Sequence, residues 1–132
     1  MRGFLLTDSH WSSIPSLDMG IRPTPDALDL LPGTLYLLIL RTLATGPLHG
    51  YGIARRIKDA SAEALAVEEG SLYPALNRML VKRWVTAEWG VSENNRKARF
   101  YRLTVEGRRQ LEQESRQFDA IVRAIRLVME ST

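Results

Sequence analysis

The sequence predicts an α+β fold, a winged helix-turn-helix with an added C-terminal dimerisation helix, and three observations carry that expectation. A short amphipathic helix, GSLYPALNRMLVKR, starts at Gly70. Two runs of period-two alternation follow it directly, joined by the basic turn SENNRKARFYRLT. From about Val105 toward Met129 a longer helical stretch then carries apolar residues well past what a three-helix core requires.

Three segments are expected: an N-terminal arm over 1–32, a winged helix-turn-helix over 33–104 and a C-terminal helix over 105–132. With 132 residues the chain has room for one domain of ~100 to 150 residues. The arm holds Pro15, Pro23, Pro25 and Pro32, and prolines this close together break both regular periods, so it reads as flexible or loosely docked. Its DALDLL stretch can form one turn of helix before Pro32.

The first helix is expected from Thr34 to about Thr45. It is apolar on nearly every side, with Arg41 its only charge, and so needs cover all round from protein. Gly46 and Pro47 end it. The second helix runs from His49 or Gly50 to Ala60, with Ile53 and Ile57 one turn apart on its inner face. In the connection 61–69, ALAV is expected to add a short edge strand beside the wing.

The third helix is expected to begin near Ser71, with that hydroxyl as N-cap and Pro74 in the first turn, where a missing N–H is harmless. Leu72, Leu76, Met79 and Leu80 make its buried stripe. Pro74, Asn77, Arg78 and Val81 fall on the opposite side, with Tyr73 and Lys82 on the flanks. Asn pairs bidentately with adenine, Arg with guanine or phosphate, and a Tyr hydroxyl bonds phosphate.

Trp84 to Trp89 and Lys97 to Leu103 alternate as strands. Val85, Ala87 and Trp89 share one face, and Arg99, Tyr101 and Leu103 share one face of the second strand. The turn and second strand bring together Arg96, Lys97, Arg99 and Arg102, opposed locally only by Glu93. Such a basic finger suits a phosphate backbone or a minor groove.

The last helix, capped by Thr104, spaces Leu111, Phe118, Ile121, Val122, Ile125, Val128 and Met129 as a packed seam. Pairing with a second copy is the expected use of that seam; folding back over the first helix is the alternative. Gly107 costs helix propensity and permits a close contact.

Charge agrees with these placements. The positive charge resides in residues 33–104, where eleven Lys/Arg stand against six Asp/Glu for a net of +5, while the arm is net −2 and the last helix neutral, which leaves +3 for the chain. There is no cysteine, which excludes disulfides, thiol catalysis and cysteine-built metal sites. His49 has no companion ligand at metal spacing, and His10 lies in the arm, so no metal or other cofactor is expected. Enzymatic chemistry is not expected either: Glu68 and Glu69 are adjacent and cannot share a pocket from a regular strand, and no Ser or His has a base beside it. The start MRGFLLTDSHW is too short in apolar residues for a signal peptide and nothing approaches the ~20 residues of a membrane span, so a cytoplasmic protein without membrane contact is expected.

Three segments, LLPGTLYLLILRTLATGPLHGYGIARRI, VEEGSLYPALNRMLVKRWVTAEW and RKARFYRLTVEGRRQLEQE, follow one another in an order and spacing that resembles the PadR family of bacterial transcriptional regulators. The resemblance covers about Leu30 to Met129, and the short C-terminal helix resembles the compact subfamily. It implies a homodimer whose third helices enter the major groove and whose wings touch the flanking backbone. It also implies an imperfect palindromic operator in double-stranded DNA, and repression as the usual outcome. By motif it places Tyr51, Ser71, Tyr73, Pro74, Asn77 and Arg78 on the DNA surface, together with the wing cations Arg96, Lys97 and Arg99; Lys82, on the flank of the third helix, is expected to join them. Some relatives release DNA on binding a small aromatic effector; here one entering between subunits would meet Trp11, Phe118 or Met129. The competing expectation is a protein-interaction module that uses the winged fold without DNA readout.

Overall fold

The computed structural model describes residues 33–131; the arm, with Trp11, Arg2, Arg22 and the DALDLL stretch, lies outside them. The elements run α1 (Thr34–Leu43), β1 (Leu48–His49), α2 (Gly50–Ala60), α3 (Glu69–Val81), β2 (Val85–Val91), β3 (Lys97–Leu103) and α4 (Val105–Glu130). The strands form one antiparallel sheet in the order β1-β3-β2. Among the described residues, four helices around a small sheet make the α+β winged helix that the two periodicities predict.

The core is where the helical stripes meet the sheet. Ile39, Leu40 and Leu43 from α1, Ile53 and Ile57 from α2, and Leu72, Leu76 and Met79 from α3 close on Val85, Tyr101 and Leu103. Burying each large side chain contributes roughly 1.5–3 kcal/mol, enough for a cluster of this size to hold three short helices together. The apolar α1 is covered on several sides, by α2, α3, β3 and the first part of α4. Leu111 packs on this same core.

Three local expectations are corrected. The edge strand is Leu48–His49, paired with Tyr101 and Phe100 of β3, and ALAV contributes only an isolated bridge at Leu65. The connection there is instead bent by left-handed backbone at Ala62 and Glu63 and tied by the Leu65 N–H to the Ser61 hydroxyl at 3.0 Å. Helix α3 begins two residues early, with Glu68 as N-cap, so Ser71 is helical and caps nothing. Pro74 therefore sits in the second turn, where its missing N–H leaves the Gly70 carbonyl without its i+4 donor; Gly70 is exposed, so water can serve that group.

The hairpin register sets Val85 opposite Leu103, Ala87 opposite Tyr101 and Trp89 opposite Arg99. These six share one face, as the alternation predicts. The turn closes through the Ser92 N–H to the Arg96 carbonyl at 2.8 Å, with Asn95 at φ 60°, a left-handed geometry that Asn tolerates. At the other end Thr104 joins three elements: its hydroxyl accepts from the Gly107 N–H at 2.9 Å and donates to the Arg83 carbonyl at 2.7 Å. Gly107 lies so close to the Trp84 carbonyl that a Cβ would overlap it, so the start of α4 is keyed to the root of β2.

Candidate nucleic-acid interface

Helix α3 buries Leu72, Ala75, Leu76 and Met79 and turns Ser71, Pro74, Asn77, Arg78 and Val81 to solvent, with Lys82 exposed just beyond its last turn. Arg78 Nη1 donates to the Tyr36 hydroxyl of α1 at 2.9 Å. Among the described residues this bond commits one of its five guanidinium donors. Lys82 holds its ammonium 5.3 Å from the centre of the Trp84 ring, which stands edge-on to Tyr36. Arg78, Tyr36, Trp84 and Lys82 form a chain of contacts at the C-terminal end of α3.

Tyr73, on the flank of this face, is only partly exposed. Its ring is half-buried over Gly50, which has no Cβ to obstruct it, and burial pushes the phenol up, with Glu69 and Tyr101 adding to the effect. That packing joins the N-terminal halves of α2 and α3. Tyr51 is exposed in the first turn of α2, under the His49 ring at 6.5 Å, and accepts a long hydrogen bond of 3.4 Å from Arg55.

His49 has a larger role than its sequence context announces. Its Nδ1 accepts the Gly52 N–H at 2.9 Å and so caps α2, which leaves Nε2 to carry the proton and to donate to the Glu93 carboxylate at 3.4 Å. The ring also meets Phe100 edge-on at 5.2 Å. One side chain ties the entry of α2 to β3 and to the turn of the wing. The signal in the sequence was a His immediately before a Gly-Tyr-Gly helix start; the wing contact, 44 positions away, left none.

The four wing cations do not form one cluster. Lys97 and Arg99 stand on the Trp89 face, opposite Val91 and Trp89; Arg102 stands on the other face, opposite Thr86; Arg96 lies in the turn. Lys97 Nζ sits 5.4 Å from the centre of the Trp89 ring, and the Arg99 guanidinium 5.8 Å from that of Tyr101. Trp89, absent from the site residues expected from sequence, is exposed on this face.

Along α4 the seam divides. Leu111 belongs to the core of its own chain, whereas Phe118, Ile121, Ile125, Val128 and Met129 are exposed and Val122 is half-buried. Among the described residues no group of three or more His, Asp or Glu is placed to hold a metal, and no helix is long and apolar enough to cross a membrane.

A helix with a polar outer face beside a basic hairpin is a form met in many proteins, and comparison decides which. The Transcriptional regulator PadR-like family model matches residues 39–113, more than half of the chain. The chain belongs to the PadR-like family. It is a DNA-binding regulator of transcription, and DNA is its partner. A PadR family transcriptional regulator of Eggerthella lenta superposes with a TM-score of 0.66 at 26% identity, covering 76% of this chain and 85% of that one. A PadR family transcription regulator of Clostridium difficile does so with a TM-score of 0.64 at 26% identity, over 74% of this chain and 99% of that one. An uncharacterized protein of Lysinibacillus sphaericus, protein X, is 26% identical over 102 residues, 77% of this chain and 94% of the relative.

Proposed function

We propose that this PadR-like regulator binds an imperfect palindrome in duplex DNA as a homodimer and represses the promoters it occupies. The observation that carries the reading is the outer face of α3, where Ser71, Pro74, Asn77 and Arg78 are exposed with no part in the core, beside a wing bearing Arg96, Lys97 and Arg99. Asn77 and Arg78 supply the donors that read base edges; Tyr51, Lys82 and the wing cations supply phosphate contacts. Tyr73 acts through the α2–α3 packing and sets the angle at which α3 is presented.

The exposed α4 seam supports the second subunit. Five large apolar side chains in succession on one helix leave an apolar patch that a monomer rarely exposes, and the same seam of a second copy covers it. Two α3 helices fixed in this way meet successive major grooves if their half-sites lie about 34–36 Å apart. Residues 33–104 then form the DNA-reading unit, residues 105–132 the dimerising one, and 1–32 an arm. A DNA target sets the place of action in the cytoplasm of a bacterium.

Selection of bound duplexes from a random pool tests the reading. It requires recovery of a two-fold related sequence whose affinity falls steeply with salt, as release of condensed counterions demands. Recovery of no preferred sequence overturns specific readout, and Asn77→Ala should relax preference at one base pair of each half-site by about 1–3 kcal/mol. Repeating the selection with planar aromatic compounds tests for an effector, and a reporter gene downstream of the recovered site separates repression from activation.

A further inference from the structure

The wing has two unlike faces. On one, Val85, Tyr101 and Leu103 are buried at 1, 3 and 7% exposure, but two rungs further out the same face opens to solvent, with Trp89 at 64% and Val91 at 66%. The distal half of the core-facing side therefore overhangs the body with an indole and a valine uncovered. Their cross-strand partners are Arg99 and Lys97, so each apolar side chain is matched to a cation.

The other face carries the acid. Glu88 stands there, opposite Phe100, and His49, also paired with Phe100, draws the Glu93 carboxylate to the same side. The Trp89 side is left with two cations and no carboxylate of the hairpin. It is also the side turned toward α3, since Val85, Tyr101 and Leu103 on that face lie in one buried cluster with Leu72, Leu76 and Met79 of α3.

From this asymmetry we infer that Trp89 is a DNA-contacting residue of the wing, seated against deoxyribose edges in the minor groove flanking each half-site, with Lys97 and Arg99 on the phosphates of its two strands. The inference rests on the DNA-binding reading above. A minor groove is about 6 Å wide, which admits an indole edge-on but not a broad apolar surface. Apolar side chains flanked by cations are the chemistry by which proteins enter that groove, the cations gaining from its negative potential. Lys97 over the indole ring holds it from one side and favours a single orientation for entry.

The test uses the full chain and a duplex recovered by selection, in two lengths: with about ten base pairs beyond each half-site, roughly one turn of B-DNA, and trimmed at the half-site edges. Trp89→Ala should weaken binding to the longer duplex about tenfold, the scale of losing an aromatic contact to a nucleotide, and leave the trimmed duplex essentially unaffected. Trp89→Phe should retain most of the affinity. Equal behaviour of Trp89→Ala and the native chain on the longer duplex overturns the inference while leaving α3 readout standing. A native chain that binds neither duplex overturns the DNA-binding reading, and this inference with it.

A second measurement avoids any folding defect of the variants. With 5-fluorotryptophan in the native sequence, the Trp89 fluorine resonance, assigned from Trp89→Phe, should shift on the longer duplex and stay on the trimmed one. A resonance indifferent to both overturns the inference. So does one that moves with protein concentration alone, which would mean that a second copy covers this face.

Discussion

Arg78 donates to the hydroxyl of Tyr36 at 2.9 Å, a bond from α3 to α1 that spans 42 positions of sequence. The Tyr36 ring is itself held edge-on to Trp84, so the guanidinium is oriented by a hydroxyl with little freedom to move. Tyr36→Phe keeps the ring packing and removes only this acceptor. A hydrogen bond of this kind contributes about 0.5–1.5 kcal/mol, so operator affinity should fall by up to about tenfold with little change in melting temperature. Arg78→Ala should cost more, about 1–3 kcal/mol in binding, and relax preference at one base. Gel-shift titration of both variants checks the order; a Tyr36→Phe chain that binds as the native one does removes the orienting role.

His49 serves as a helix cap and as a link to the wing, and the two roles separate by substitution. His49→Ala loses the acceptor for the Gly52 N–H and should destabilise the chain by about 1 kcal/mol in urea unfolding. His49→Asn, which restores an N-cap acceptor but is too short for Glu93, should recover most of that stability.

The same link has a pH signature. The Glu93 carboxyl is held below its ordinary value of 4.5, first by its own backbone N–H and then by the His49 ring. A carboxyl whose pKa is depressed in the folded chain stabilises it fully above 4.5, and that contribution is lost as pH falls through the lower folded value. An NMR titration should place the Glu93 midpoint below 4.5 in the native chain and higher in His49→Asn. Glu93 is exposed, so solvent screening keeps the contribution to overall stability small and the titration reports chiefly on the wing turn.

Gly107 gives a prediction whose sign opposes helix propensity. In an exposed helix Gly→Ala gains about 1 kcal/mol. Here a Cβ would overlap the Trp84 carbonyl, which is backbone and cannot swing aside, so Gly107→Ala should destabilise by about 1–3 kcal/mol. Chemical denaturation decides between the two signs.

Leu111 and Ile125 lie on one helix and should behave differently. Leu111→Ala removes a side chain from the chain's own core and should lower stability by about 1–3 kcal/mol at any protein concentration. Ile125 is exposed at 54%, so Ile125→Glu should leave the fold intact and shift the chain to monomer in sedimentation at micromolar concentration. An Ile125→Glu chain that sediments as the native one does moves the interface elsewhere.

Much of this protein follows from residue order alone. The 3.6-residue stripe Leu72, Leu76, Met79 and the alternation Val85, Ala87, Trp89 fix element types and inner faces, because periodicity records which side of an element is apolar. The charge excess of residues 33–104 and the three ordered motifs then identify the class of partner. What covers each apolar face is a different matter, settled between residues far apart in the chain. Tertiary packing turned Tyr73 inward over Gly50, gave Leu111 to its own core, and made Leu48–His49 the third strand. It also parted Lys97 and Arg99 from Arg102, since neighbouring strand residues point to opposite faces and only the body of the domain gives those faces different surroundings.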